Sequence, residues 1–283
     1  MSGSGRNHIG LFSAPELPAH GSEGGEDLRL LSYLFELNAF RRHADELLGR
    51  LAAAGKAAAG LVAGRGATAA IGVAAGLDSD DQIFGTHRDW PAAMARAGDF
   101  TDILRVAMRT LDPSRVGGGD IRSLSGGFHM THAATASHIA EAVGFGMAAR
   151  LSGSNAVAVC LLGSGALMQP ETTAALVQAV ESKARVVFVL RGPRASVERL
   201  VVIQRLVVPA DSAYRAYWAL AEARASRPGL PVLIDARYGQ EPEVPLDAQL
   251  LRERGVLSPE FERTLAQEIR DRLDEVRRLV EQA

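Results

Sequence analysis

The sequence is nearly empty of two reactive residue types. Its single cysteine, Cys160, lies inside the apolar run Ala156-Val-Ala-Val-Cys-Leu-Leu162. A lone thiol excludes a disulfide framework and fits a reducing compartment, so a cytoplasmic location is expected. Of the 31 lysines and arginines only Lys56 and Lys183 are lysine, and neither sits in a Gly-rich or apolar motif. Schiff-base chemistry therefore has few candidates. Charge of one sign is also scarce: the net charge is -2, which gives no bulk attraction to nucleic acid or anionic membranes. No apolar run reaches the length of a membrane span. The first 26 residues lack the apolar core of a signal peptide. What remains is a chain of 283 residues, 47% hydrophobic and 23% charged, in the range of a soluble globular protein with a sizeable core.

Residues 1–26 are rich in Gly, Ser and Pro and are expected to form a flexible arm. Residues 27–283 show no repeat and no change of composition, so they are read as one domain. A helical pattern runs from Leu28 to about Leu51, with Leu31, Leu34, Phe35, Leu47, Leu48 and Leu51 at spaced positions. The small-residue run 52–75 suggests another helix packed closely on its neighbours, as does 137–153, where Ser137 is a candidate cap and Gly144 and Gly146 allow close contact. Segments 157–162, 186–190 and 231–236 are short and apolar throughout, as strands buried on both faces are. Helices alternate with them: one starts at Pro170, a favoured first helical residue, and one covers about Ser212–Ser226. The tail opens on Ser258-Pro259 and carries an apolar stripe of Phe261, Leu265, Ile269, Leu273, Val276 and Val280. The alternation predicts an α/β fold, a parallel sheet flanked by helices.

The strand at 157–162 runs into Gly163-Ser164-Gly165. Such a turn at a strand's carboxyl end exposes backbone N–H groups and can hold a phosphate. Spacing alone equally fits two glycines that make a tight strand-to-helix turn.

The segment from Gly163 to Pro193 resembles the thiamine diphosphate motif, which begins Gly-Asp-Gly and ends in paired Asn residues. Further segments occur in the order of the α subunit of the thiamine-dependent 2-oxo acid dehydrogenases (pyruvate, branched-chain and acetoin types). LVAGRGATAAIGVAAGLDSDDQIFGTHRDW is similar to that family's Gly-Gln-Glu, Asp-Asp and Tyr-Arg segments. GGFHM resembles Gly-Gly-Ser-Met-His, and SHIAEAVGFGMAAR resembles the helix Gln-Val-Pro-x-Ala-x-Gly-x-Ala. PVLIDARYG is similar to the Leu-Ile-Glu strand with its Tyr-Arg-Tyr-Gly continuation, and RERGVLSPEFERTLAQEI to the C-terminal Gly-x-Leu helix. The resemblance implies the thiamine-diphosphate-binding, transketolase-like α/β fold and an oxidoreductase ancestry.

It also implies a site that this chain does not reproduce. The family holds the diphosphate through Mg²⁺, with the acid of Gly-Asp-Gly and an Asn as ligands. Here those positions are Ser164, Gly192 and Pro193, and the family's following Tyr is Ala195. Mg²⁺ requires oxygen ligands in near-octahedral order, and glycine and proline bring no side-chain oxygen. The family's phosphate-binding His is replaced by Gln240 and Glu241, and no His follows His138. The loop after GGFHM and the segment between Pro193 and Val208 are shorter than in the family. Arg88 matches the phosphate-contacting Arg of Tyr-Arg, with His87 in place of Tyr, and His129 survives in GGFHM.

The expectation is a remnant cofactor site of Arg88, Gly163, Ser164 and Gly165, with no cofactor and no metal bound. His129 is the candidate catalytic group. His87, His129, His132 and His138 otherwise read as loop or cap residues, since no nearby Cys or paired carboxylate completes a metal set. Glu141 reads as facing a partner, and Arg191 and Arg194 as solvated surface charges or direct anion ligands. The function expected is an α-like subunit paired with a β-like partner or with itself, with no nucleic acid and no membrane. The alternatives are an enzyme that reuses the cleft without thiamine and a thiamine enzyme with atypical cofactor binding.

Overall fold

The computed structural model describes residues 27–57, 59–64, 66–97, 100–109, 127–130, 136–193, 203–226, 230–238 and 245–282. The arm assigned to residues 1–26, and His132, Arg194, Ala195, Gln240 and Glu241, lie outside the described residues.

Among the described residues six strands build one sheet: β1 (Gln82–Gly85), β2 (Phe128–Met130), β3 (Ala158–Gly163), β4 (Val186–Pro193), β5 (Gln204–Pro209) and β6 (Val232–Tyr238). Their order is β2-β1-β3-β4-β6-β5, and every pairing is parallel. The central strands β3 and β4 are apolar on both faces because both faces are covered. Nine helices surround them among the described residues: α1 (Leu28–Ala53), α2 (Ala67–Ala75), α3 (Trp90–Ala97), α4 (Thr101–Arg109), α5 (Ser137–Leu151), α6 (Pro170–Glu181), α7 (Ala213–Ser226), α8 (Leu246–Glu253) and α9 (Pro259–Glu281).

The layers follow from strand direction. The crossover β3–α6–β4 steps one way along the sheet and β5–α7–β6 steps back, so right-handed connections put α6 and α7 on opposite faces. One face packs Val159, Leu161, Val187, Val189 and Ile234 against α2, α3 and α7. The other packs Phe84, Cys160, Leu162, Phe188 and Leu190 against α5 and α6. A third cluster joins α1, α8 and α9 around Phe40, Leu251, Ile269 and Leu273. The chain leaves β1 toward β2 and leaves β3 toward β4, so the order reverses between β1 and β3. In an open α/β sheet the carboxyl end of that pair is where a crevice forms.

Several local expectations hold. Ser258 Oγ accepts from Phe261 N at 3.1 Å and Pro259 opens α9. The buried stripe of that helix is Leu265, Ile269, Leu273 and Val276, while Phe261 stays 43% exposed. Pro170 is the first residue of α6, and Cys160 is buried.

Others are corrected. The run 52–75 is not one helix: α1 ends at Ala53, a 3-10 turn covers Ala59–Leu61 and α2 begins at Ala67. Gly55 and Gly66 have φ of 69° and 84°, left-handed values that break an Ala-rich helix. Ser137 does not cap α5; the N-cap is Ala136 at φ 81°, without a side-chain cap bond. Of the two glycines in α5 only Gly146 is at a close approach, where an added Cβ would lie 2.6 Å from Val186 Cγ2; Gly144 meets nothing within 4 Å. Strands β2 and β5 were not expected. No helix among the described residues is long and apolar enough to cross a membrane.

Among the described glycines the closest approach is between α2 and α7. A Cβ added at Gly72 would lie 1.9 Å from the carbonyl oxygen of Ala213. Backbone cannot yield as a side chain does, so Gly72→Ala must push the two helices apart. Overpacking costs about 1–3 kcal/mol where it is tolerated, and a loss of about 3 kcal/mol is expected in urea unfolding. An unchanged midpoint would show that these helices are not in backbone contact.

Candidate functional site

The carboxyl end of β3 runs through Gly163 and Ser164 into a 3-10 turn, Ser164–Met168, that leads to α6. A Cβ added at Gly163 or Gly165 would meet nothing within 4 Å, so packing requires neither glycine. Gly192 differs: a Cβ there would lie 2.8 Å from Ser164 Cβ. The half-buried Ser164 therefore stands where a side chain at position 192 would go. Serine, glycine and proline at 164, 192 and 193 offer one neutral side-chain oxygen between them. They do not form a donor set for Mg²⁺, which needs several oxygen ligands.

Beside this turn lies a buried ion pair. Arg191 pairs in register with Gly163 of β3 and Ala236 of β6. Its Nη1 is 2.5 Å from Oδ1 of Asp89, with the two side chains 9% and 0% exposed. The sequence reading of Arg191 as a solvated charge is thus corrected. The contact lacks the alignment of a hydrogen bond at Asp89 Oδ1, and Arg191 Nε is buried without a partner. Asp89 is anchored from the other side, where its Oδ2 accepts from Thr86 N at 2.8 Å and Thr86 Oγ1 at 2.9 Å. Gly85 makes room for it, since a Cβ there would lie 2.9 Å from Oδ2. The pair links β4 to the end of β1 across β3, at the mouth of the crevice.

Two titratable groups lie close to the pair. Burial pushes the Cys160 thiol well up, Asp89 adds to that, and Arg191 opposes it. The thiol therefore stays protonated and unreactive. Burial pushes His138 down, with the Leu161 carbonyl and Asp89 opposing. Its Nε2 lies 2.9 Å from the Leu161 carbonyl. A carbonyl only accepts, so Nε2 carries the proton.

The structure separates the predicted site residues. Arg88 is exposed in the 3-10 turn His87–Asp89, just past the carboxyl end of β1, on the same end of the sheet as Gly163, Ser164 and Gly165. His129 turns the other way. Its ring stacks on Phe84 at 4.8 Å, and its Nε2 lies 2.7 Å from Oε1 of Gln82, the first residue of β1. Burial lowers its pKa, and Glu141 on α5 opposes that. Compared position by position, the His of Gly-Gly-Ser-Met-His falls on Met130, one residue after His129. Among the described residues no three His, Cys, Asp or Glu side chains are grouped to hold a metal.

Sequence reasoning also passed over a second charged cluster. Asp235 on β6, fully buried, accepts at Oδ2 from Arg205 Nε at 2.8 Å and Arg237 Nε at 2.7 Å, and pairs with Arg205 Nη2. The signal available was the alternation of charge with apolar residues in Ile234-Asp235-Ala236-Arg237.

Comparison with known proteins places this geometry. No curated protein matches the sequence. Among solved structures, one similar chain is described as a thiamin diphosphate-dependent enzyme from Mycobacterium smegmatis, at 12% identity and a TM-score of 0.40. The match covers 61% of this chain and 32% of that one, so the chain spans about a third of that enzyme's length. The family model described as the dehydrogenase E1 component matches residues 36–192. That span is more than half of the sequence and runs from α1 through the Gly163–Gly165 turn to the end of β4. The chain belongs to the dehydrogenase E1 component family.

Proposed function

We propose that this chain is an α-like E1 subunit that has given up Mg²⁺–thiamine diphosphate and works beside a β-like partner. The observation that carries the reading is the contact of Ser164 with Gly192. The positions that would supply a carboxylate and an amide to a metal face each other as a serine and a bare Cα, with Ser164 Cβ 2.8 Å and Ser164 Oγ 3.5 Å from a Cβ added at Gly192. The buried Arg191–Asp89 pair supports it, because the carboxylate at the crevice mouth is already matched by a guanidinium and is not free to hold a metal. What this chain's own residues do at the site is structural: Asp89 ties the end of β1 to β4, and His138 donates to the β3 backbone.

The outward face of α5 supports the partner. Ala140, Glu141, Gly144 and Ala148 are exposed, and Leu151 is 76% exposed at the end of the same stripe. A face of small residues with an apolar end suits close helix packing against another subunit. The buried single cysteine agrees with a reducing, cytoplasmic setting. Affinity purification of the chain from its native host, followed by mass spectrometry, is expected to recover a β-like E1 chain in stoichiometric amount. Recovery of a soluble monomer near the chain mass of 30.0 kDa, with no partner, would overturn the subunit reading.

A further inference from the structure

Two arginines, Arg205 and Arg237, lie on the strands beyond Gly192 and Ser164. Parallel strands pair Gly192 with Arg237 and Leu190 with Asp235, and β5 pairs Arg205 with Leu233. Paired residues of neighbouring strands point to the same face. Leu190 and Leu233 belong to the core under α5 and α6, so Asp235, Arg205 and Arg237 share that face. Gly192 shares it too, with Ser164 packed against its Cα. One continuous row thus runs from Ser164 across Gly192 to Arg237, Asp235 and Arg205.

The row has unused capacity for a negative group. Two guanidiniums meet one carboxylate, a surplus of one positive charge. All three nitrogen contacts fall on Asp235 Oδ2, and Oδ1 is buried without a partner. Arg205 and Arg237 are 28% and 24% exposed at the side chain, and Val207, which pairs with Asp235, is 56% exposed. The arginines are held rigidly from behind by a fully buried acid and still reach solvent. Each keeps N–H donors that Asp235 does not use, and a guanidinium presents them in a fork that fits an oxyanion. Charged groups that are partly buried are stabilised by a counter-ion.

We infer that Arg205 and Arg237, braced by Asp235, form a metal-independent binding site for an oxyanion, the phosphate or carboxylate group of a small molecule. The inference rests on the reading that this end of the sheet no longer holds a metal–diphosphate unit. Arg237 anchors the anion from the strand position that pairs with Gly192. Arg205 supplies the second cation from the outer strand.

The test is thermal unfolding of the full chain in EDTA, titrated with orthophosphate or acetate against chloride at equal ionic strength. Wild type is expected to gain stability with the oxyanion beyond the chloride control. Phosphate alone acting points to a phosphate ligand, and acetate acting as well points to a carboxylate. Arg237→Gln and Arg205→Gln should each weaken the response at least about tenfold, the loss of a charge-assisted contact. Asp235→Asn keeps both arginines and removes their internal counter-ion. It is expected to be less stable without the anion and to respond at least about tenfold more strongly to it, which a merely structural cluster would not do. No response above chloride in wild type, or equal responses in wild type and the Arg variants, overturns the inference. Mg²⁺-dependent thiamine diphosphate binding in a parallel titration would instead sink the proposed function, whatever phosphate does in EDTA.

Discussion

Calorimetry with thiamine diphosphate and Mg²⁺ is expected to give no heat above dilution with this protein. A charged or hydrogen-bonded partner removed from a buried contact costs about 2–5 kcal/mol. The acid and the amide of the family motif are both absent, replaced by Ser164 and Gly192. Even at the low end, two such losses weaken binding by about a thousandfold. Replacing the lost groups is not expected to restore the site. Gly192→Asn would bring its Cβ to 2.8 Å from Ser164 Cβ, so it should destabilise the turn before it offers an oxygen. The Ser164→Asp/Pro193→Asn double variant avoids that clash, but its new carboxylate would lie next to the strand position of Arg191, where a cation already stands. Silence from wild type and double variant alike is the expected result, and it assigns the closed site to Arg191 and the altered loops as well as to the missing ligands. Micromolar, Mg²⁺-dependent binding by wild type would return the chain to the working members of its family.

How much of this was legible in the sequence depends on what each residue answers to. β3, β4 and β6 were readable because strands covered on both faces leave an unbroken apolar run, as in Val186-Val-Phe-Val-Leu190. The stripe of α9 was readable because one face of a surface helix repeats every turn. β5 was not, since it is the outer strand and only Val208 in it is buried, which leaves Gln204-Arg-Leu-Val-Val-Pro209 without a clear pattern. β2 spans three residues after a Gly-rich stretch, too short for any period. The run 52–75 misled because Ala favours helix whatever the backbone does at Gly55 and Gly66. In the site, the missing metal ligands were visible by type alone. The buried pair beside them was not: Asp89 and Arg191 lie on different elements and meet only because β1, β3 and β4 are neighbours in the sheet. His129 shows the same limit from the other side. Its presence in GGFHM says nothing of direction, and the pleat turns it onto Phe84 and Gln82.

Arg191→Met is expected to be the most damaging of the side-chain truncations at this site. Asp89 is 0% exposed and Arg191 9%, so the truncation strands a carboxylate in a place water does not reach. Breaking a buried pair from one side costs about 3–5 kcal/mol. For a protein of this size that is a fall of about 6–20 °C in the melting temperature, at about 2–4 °C per kcal/mol. The Thr86 bonds to Asp89 Oδ2 hold the carboxylate in position, so it cannot swing out to solvent without unwinding the 3-10 turn that starts α3. Asp89→Asn should cost less, because an amide oxygen can still accept from Thr86 while the guanidinium keeps its own partial access to solvent. The double variant Asp89→Leu/Arg191→Met removes both charges and should recover much of the loss, since well-packed apolar groups often match a buried pair. Urea unfolding of wild type, the single variants and the double variant closes the cycle and yields the coupling between the two groups. A cost below about 1 kcal/mol for Arg191→Met would mean a solvated contact. The crevice mouth would then be open to a ligand, and the plugged site proposed for this chain would have to be abandoned.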